Sequence, residues 1–292
     1  MSRQCSVTEL FVHPIKGCRP VSVDSLEIDE FGVAGDREFM VVRDNKKVNL
    51  KNMPALARIC IRKTGDGLFQ LSADGVDDIE HEKVSQGDSG VVSFLFDNVE
   101  VIDQGERIGQ WISGIVGESV KLVALPRSFR RNLGVPLLEK AHDKSQNSFV
   151  DVSPVMIVNQ ATLDDLNGRI AEPVTVQRFR PNVVVAGLAA FDEDRMTGLA
   201  GDQLEFDHVS PCERCTVVNT DHETGLISGK DPLNMLSRYR RIADGYDSGI
   251  LFGDYFNVLR GGTLKVGDVL TVSFQEKRRE TQTEIRQGGR GS

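Results

Sequence analysis

Ser210-Pro211-Cys212-Glu213-Arg214-Cys215-Thr216 places two thiols three residues apart with a guanidinium between them. The flanking sequence decides what scaffold carries them. Upstream, Asp202 to Val209 alternates apolar Leu204 and Phe206 with polar neighbours, the period-two pattern of a half-buried strand. Downstream, Thr216-Val217-Val218 reads as a second strand, so the cysteines are expected on a proline-bent connection between strands. A thiolate is the soft ligand used by zinc, iron–sulfur and high-valent molybdenum–sulfur sites, and Arg214 would favour its deprotonated form. A structural disulfide, half of a zinc site, or two small packed residues compete with that reading.

Composition narrows the choice. The chain has 292 residues, a net charge of -8 and five cysteines: Cys5, Cys18, Cys60, Cys212 and Cys215. That length holds one large or two ordinary domains with a substantial core. An odd, sparse set of thiols without a signal peptide points to a reducing compartment and a cytoplasmic protein, and away from a permanent disulfide. A closed zinc site needs four ligands, and no second Cys-x-x-Cys or His-x-x-x-His pair supplies them. The acidic balance, with no long basic run, argues against nucleic acid as a general partner. No apolar stretch approaches the roughly 20 residues that span a bilayer.

Working outward, Val7 to His13 has strand composition and is stopped by Pro14, which leaves Lys16 and Arg19 displayed on the loop that follows. Val21 to Ile28 reads as a strand, and Arg37 stands beside a glycine where the pattern resumes at Glu38 to Val42. Short strand-like runs fill the region from Arg43 to Val101, with the acid-rich Asp74 to Gln86 expected as a solvated loop. Ile108, Trp111, Ile112 and Ile115 recur at helical spacing ahead of Gly117. Arg127, Arg130 and Arg131 form a compact basic cluster on a loop suited to guiding an anion. Asn159 is placed to cap a helix from Gln160 to Ile170 with Leu163 and Leu166 inward. Pro181 biases Arg180 toward extended backbone at a strand break, where its planar fork suits a phosphate. Beyond the thiols come a hairpin from Val217 to Ile227 and a helix opened by Asp231-Pro232. Arg238, Arg240 and Arg241 are expected on that helix's solvated face. Strands from Tyr255 to Leu259 and Val269 to Phe274 precede a polar tail, 276–292, expected to be disordered.

Several motifs together carry a resemblance. His13-Pro14-Ile15-Lys16-Gly17-Cys18, Gly35-Asp36-Arg37, Phe179-Arg180-Pro181-Asn182, Pro211-Cys212-Glu213-Arg214-Cys215 and Leu251-Phe252-Gly253-Asp254-Tyr255-Phe256 follow the order seen in MOSC-domain proteins, the molybdenum cofactor sulfurase C-terminal family. The chain resembles the branch with an N-terminal β-barrel region, which includes mitochondrial amidoxime-reducing components and bacterial YcbX-type proteins.

The resemblance implies a mainly β, α+β fold. Residues 1–37 and 127–275 would build a MOSC β-barrel, and 38–126 would form a smaller inserted α/β lobe, so that residues 1–126 make up the N-terminal region. The cofactor groove would lie between them. It implies a molybdenum–molybdopterin cofactor whose metal is held by one dithiolene and by Cys215, the catalytic residue. Lys16, Arg37 and Arg180 would hold phosphate and pterin, and Ser153, Asn182, Arg214 and Tyr255 would add contacts. Gly17, where the branch often carries serine, would offer its backbone N–H. The implied activity is two-electron reduction of N-hydroxylated small molecules such as hydroxylamines and amidoximes. No ferredoxin cysteines follow residue 275, so electrons would come from a separate ferredoxin-like, flavin or haem protein or from a domain outside this sequence. The family also carries an association with pyridoxal phosphate.

Overall fold

The computed structural model describes residues 3–95, 97–132, 145–227, 229–241 and 249–275. The 276–292 tail therefore lies outside the described residues.

The chain opens with β1 (Arg3–Val12), followed across a bend at His13-Pro14 by the short β2 (Ile15–Lys16). Then come β3 (Phe39–Arg43), β4 (Lys46–Lys47), β5 (Cys60–Gly65), β6 (Leu68–Ala73) and β7 (Val76–Glu82). β8 (Ser89–Phe94), β9 (Asp97–Asp103), helix α1 (Glu106–Val116) and β10 (Lys121–Ala124) complete the first half. Strands β3, β4, β8, β9 and β10 pair in sequence and close on themselves through β10 and β3, with β2 added in parallel along β3. The run Phe39-Met40-Val41-Val42 explains why β3 is central: Met40 and Val42 fill the ring, while Phe39 and Val41 point outward into a second core. That outer core is covered by α1, through Ile108, Ile112 and Ile115 one helical face apart, and by the sheet of β5, β6 and β7. Gly117 ends α1 in the left-handed conformation, φ 76°, with its N–H on the Ser113 carbonyl at 2.9 Å. The acid-rich segment expected as a solvated loop is mostly β7, because Ile79 and His81 alternate inward among the acids.

The second half contributes β11 (Val155–Asn159), α2 (Gln160–Asn167), β12 (Val183–Ala186), β13 (Met196–Ala200), β14 (Glu205–Glu213), α3 (Leu233–Tyr239), β15 (Leu251–Arg260) and β16 (Val269–Phe274). With β1 these strands close a larger ring in the order β12-β11-β15-β14-β13-β16-β1, sealed by β1 against β12. Its interior holds Val7, Leu10, Ile157, Val185, Phe206, Phe256 and Val272. An outer layer, containing Phe11, Val158, Leu163, Leu166, Phe179, Cys212, Leu236 and Phe252, packs against the same wall from outside. The fold is thus mainly β, as the resemblance implies, with two closed barrels. β1 belongs to the larger and β2 to the smaller, so His13-Pro14 is the crossing point between them. No helix among the described residues is long and apolar enough to cross a membrane.

Three local expectations change. Thr216-Val217-Val218 is a 3-10 turn, Thr216–Asn219, not a strand: Cys212 sits inside β14, and Cys215 is the residue from which the turn starts. Arg180 is left-handed, φ 57° and ψ 44°, not extended. The preceding 3-10 turn, Val176–Phe179, ends on it, and its own N–H closes onto the Gln177 carbonyl at 3.0 Å, overriding the pre-proline preference. Arg240 is no solvated charge, being 1 % exposed and locked to Asp194. Asn159 does cap α2, accepting from the Ala161 N–H at 3.2 Å, though the helix stops at Asn167.

Candidate active site

The seam between the barrels gathers residues from distant parts of the chain. At the crossing point the His13 N–H donates to Asp36 Oδ1 at 2.8 Å, and the other oxygen of Asp36 accepts from the Arg37 guanidinium. Arg37, itself left-handed at φ 48°, also reaches Asn182 Oδ1 at 3.4 Å and the Arg180 carbonyl at 3.3 Å. Asn182 is held by Met156, whose N–H donates to its Oδ1 at 3.2 Å, and by Phe11, whose carbonyl accepts from its Nδ2 at 3.3 Å. One asparagine therefore ties β1 to β11 and sets the direction of Arg37.

Arg180 donates from Nη1 to the Cys18 carbonyl at 2.6 Å, while its Nη2 is buried with no hydrogen-bond partner. Burial first, and then repulsion from Arg37, pushes its pKa down to about 10, so it stays charged at neutral pH. His13 is fully buried, and burial together with Arg37 and Arg180 holds its pKa well below the ordinary value. Its Nε2 lies 2.9 Å from the Pro181 carbonyl, which can only accept, so Nε2 carries the proton and Nδ1 is a bare acceptor.

Lys16 points to the far side of the seam. Its Nζ donates to the Phe149 carbonyl at 2.9 Å and to Asp151 Oδ2 at 2.5 Å, and Lys47 approaches the other Asp151 oxygen at 3.3 Å. Burial, opposed by Asp151 and reinforced by Lys47 and Arg37, pushes the Lys16 pKa down to about 8. Gly17 takes φ 89°, which lets the chain turn directly after Lys16.

The two thiols occupy different surroundings. Cys212 is 1 % exposed within the outer core, donates to the Glu213 carbonyl at 3.7 Å, and has its pKa raised by burial against the pull of Arg214 and Tyr255. Tyr255 in turn is pushed well above its ordinary value by burial and by Cys212. Cys215 is only half-buried, just beyond a run of three register shifts between β14 and β15 that re-aim the end of β14.

Arg214 and Ser153 both donate to main-chain carbonyls. Arg214 is buried and donates to the Phe252 carbonyl at 2.8 and 2.7 Å, to the Phe179 carbonyl at 2.9 Å and toward Met156 Sδ at 3.0 Å. It braces the thiol loop against the turn that presents Arg180. Ser153 Oγ donates to the Phe256 carbonyl at 2.6 Å and fixes the 149–153 segment to β15. Of the basic loop, Arg130 lies over the Phe31 ring, 4.4 Å from its centroid, and is exposed.

The structure thus brings Lys16, Gly17, Arg37, Arg180 and Asn182 together along one seam. Arg214, directly before Cys215, reaches the Phe179 carbonyl beside Arg180, and Asp151 is in electrostatic reach of Lys16, Arg180 and Tyr255. Sequence reading missed Asp36, Asp151, Lys47, His13 and His222. Asp36 and His13 stood inside quoted motifs, and Asp151 signalled itself only by lying two residues before Ser153. His222 gave no signal at all.

Residues 4–119 match the MOSC N-terminal beta barrel domain and residues 144–271 the MOSC domain. The chain belongs to the MOSC-domain family, in the branch that carries the N-terminal barrel. Mitochondrial amidoxime reducing component 2 of Bos taurus is 32% identical to it over 275 residues, covering 90% of this chain and 82% of its own length. Mitochondrial amidoxime-reducing component 1 of Homo sapiens is 30% identical over 275 residues, covering 90% and 81%.

Proposed function

We propose that this chain is a molybdenum cofactor-dependent reductase of N-hydroxylated compounds, with Cys215 as the protein thiolate on the metal. The observation that supports the reading is a half-buried thiol, Cys215, directly after Arg214, whose Nη1 donates to the Phe179 carbonyl at 2.9 Å next to Arg180, the residue whose buried Nη2 lacks a partner. Such a nitrogen fits a group that supplies an oxyanion, and a phosphate-bearing pterin supplies one. Soft thiolate sulfur suits molybdenum.

When bound, the molybdenum–pterin group supplies two-electron removal of oxygen from nitrogen, so that R–NHOH with two electrons and two protons gives R–NH2 and water. The chain's residues do the rest. Arg180 and Arg37 hold the cofactor's anionic end, with Asp36 and Asn182 fixing Arg37 in place. Lys16 and the Gly17 backbone line the opposite wall. Arg214 keeps the Cys215 loop and the Arg180 turn in fixed relation, and Ser153 anchors the 149–153 wall. A ferredoxin-like, flavin or haem protein or domain supplies the electrons. The burial of Cys212 speaks against a dithiol exchange mechanism, which needs both sulfurs accessible.

The test uses protein made in a host that synthesises the cofactor, assayed for bound molybdenum, bound pterin and reduction of an amidoxime with reduced viologen. Cys215→Ser should lose molybdenum and activity while retaining pterin and fold, and Cys212→Ser should keep most activity. An active Cys215→Ser protein would end the assignment.

A further inference from the structure

Four buried nitrogens without a hydrogen-bond partner belong to three neighbouring residues of the seam: both ring nitrogens of His222, Nδ1 of His13 and Nη2 of Arg180. His222 is 6 % exposed and His13 is not exposed at all. The placement of His222 is fixed from several sides. Arg19 donates to its carbonyl from Nε at 3.0 Å and Nη2 at 2.6 Å, and Arg180 donates to the carbonyl of Cys18, the residue before Arg19. Arg178 pairs with Asp221 at 2.9 Å, closing the turn that bears His222 onto the 3-10 turn that bears Arg180. Both turns thus converge on Cys18-Arg19.

The charged and titratable groups facing His222 are Arg180, Arg178, Arg19, Asp221 and His13. Three guanidiniums stand against one carboxylate. Such a surplus of partly buried positive charge, with an unused, buried N–H among it, is complementary to a tetrahedral dianion. We propose that His222 forms, with Arg180, the seat of a phosphate monoester and takes up a proton as that dianion binds. The proposal rests on the cofactor reading above, whose pterin ends in such a group. It also divides the labour of the seam: Lys16 has Asp151 at 2.5 Å, whereas no carboxylate hydrogen-bonds Arg180 or the His222 ring among the described residues.

In the anion-free protein, burial and the three guanidiniums push His222 down to about 3, so the ring is neutral at pH 7. A bound dianion reverses the sign of the local field and favours the imidazolium. The imidazolium has two N–H donors, one of which the oxyanion would accept. Proton uptake and anion binding are then linked, so each strengthens the other.

Sulfate is the probe, being a tetrahedral dianion that does not titrate near neutrality. Titration calorimetry of cofactor-free protein in buffers of different ionisation enthalpy should show uptake approaching one proton per sulfate. Affinity should rise about tenfold for each unit that pH falls through neutrality, as a one-proton linkage requires. His222→Gln should abolish the uptake, flatten the pH dependence, weaken sulfate at least about tenfold at pH 6 and lower pterin content. The His222 ring resonance of the unaltered protein should move to the imidazolium position on adding sulfate, a readout that needs no variant to fold. Binding without proton uptake, an unmoved resonance, or wild-type affinity in His222→Gln would each overturn the proposal. If Arg180→Lys loses pterin while His222→Gln behaves as wild type, this proposal falls and the cofactor seat stands. If protein from the cofactor-making host accumulates no pterin, the cofactor reading falls, while the sulfate titration still decides His222.

Discussion

Two buried polar clusters lie on the larger barrel, and they neutralise charge in opposite ways. In one, Arg240 grips Asp194 through two parallel contacts of 2.8 and 2.6 Å, and His208 meets Asp254 at 2.8 Å. Its remaining acid, Glu193, accepts from Asn159 at 3.0 Å, and burial together with Asp194 and Asp254 pushes its pKa up to about 8, so it is mostly protonated at pH 7. Every charge there is paired or discharged. In the seam, Arg180 and Arg19 donate to main-chain carbonyls, and no carboxylate pairs with either among the described residues. Charge matched within the protein holds a fold together, whereas the partly buried guanidiniums of Arg180 and Arg19 are left open to a counter-charge from outside the chain.

The largest effect that tests this contrast comes from treating one arginine of each cluster alike. Arg240→Leu leaves Asp194 buried without its partner and should cost about 3–5 kcal/mol of unfolding free energy, read by chemical denaturation. Arg180→Leu removes a desolvated cation that has no counter-charge, and it should change stability by less than about 1 kcal/mol. It should nevertheless empty the protein of pterin. Equal destabilisation by the two substitutions would erase the distinction.

The next effect concerns pH. Glu193 has its folded pKa raised from 4.5 to about 8, so between those values the unfolded chain releases a proton that the folded chain keeps. Stability therefore falls as pH rises through that window. Glu193→Gln removes the term: variant and parent should match near pH 4, and the variant should be more stable by on the order of a few kcal/mol at pH 8. The seam slopes the other way. His13 and His222 are held below the ordinary histidine value, so the unfolded chain binds more protons once pH drops below about 6.5. Stability then falls with acid, and His222→Gln should flatten that acid limb in thermal melts taken between pH 4 and 7.

Neither cluster was fully legible in the sequence, for a physical reason. Periodicity reports which face of an element is apolar, and so it found α1, the capped start of α2 and the strand at Val269 to Phe274. It does not report partners far apart in the chain. Arg240 read as a solvated helix face because Asp194, 46 positions away, cannot be seen from it. The strand after Cys215 was misread because Thr-Val-Val has β propensity, while the local chain closes Val218 N–H onto the Cys215 carbonyl at 3.3 Å. The seam cations were located only through motif resemblance, since a lone Lys or Arg at a strand end is ordinarily a surface charge. His222 stayed silent because nothing adjacent to it in the chain marks it as buried.

The smallest effect falls within the seam itself and sharpens the comparison there. Lys16 is the one seam lysine with a carboxylate contact of 2.5 Å, so it should resemble the matched cluster more than it resembles Arg180. In Lys16→Met the lost pair with partly exposed Asp151 is worth up to about 1 kcal/mol. Relief of repulsion from Lys47 and Arg37, and of a buried ammonium, offsets it, leaving a net change at pH 7 within about 1 kcal/mol. The sign of the pH dependence is fixed by the lowered pKa. Above about 8 folded Lys16 sheds its proton, while the unfolded chain keeps one up to 10.5, so stability of the parent rises with pH across that window relative to the variant. Denaturation curves at pH 7, 9 and 10 measure both quantities. Pterin should be reduced but retained in Lys16→Met, because the anion rests on Arg180. If Lys16→Met empties the protein of pterin as Arg180→Leu does, the dianion sits at the lysine end of the seam and the division between its matched and unmatched cations is wrong.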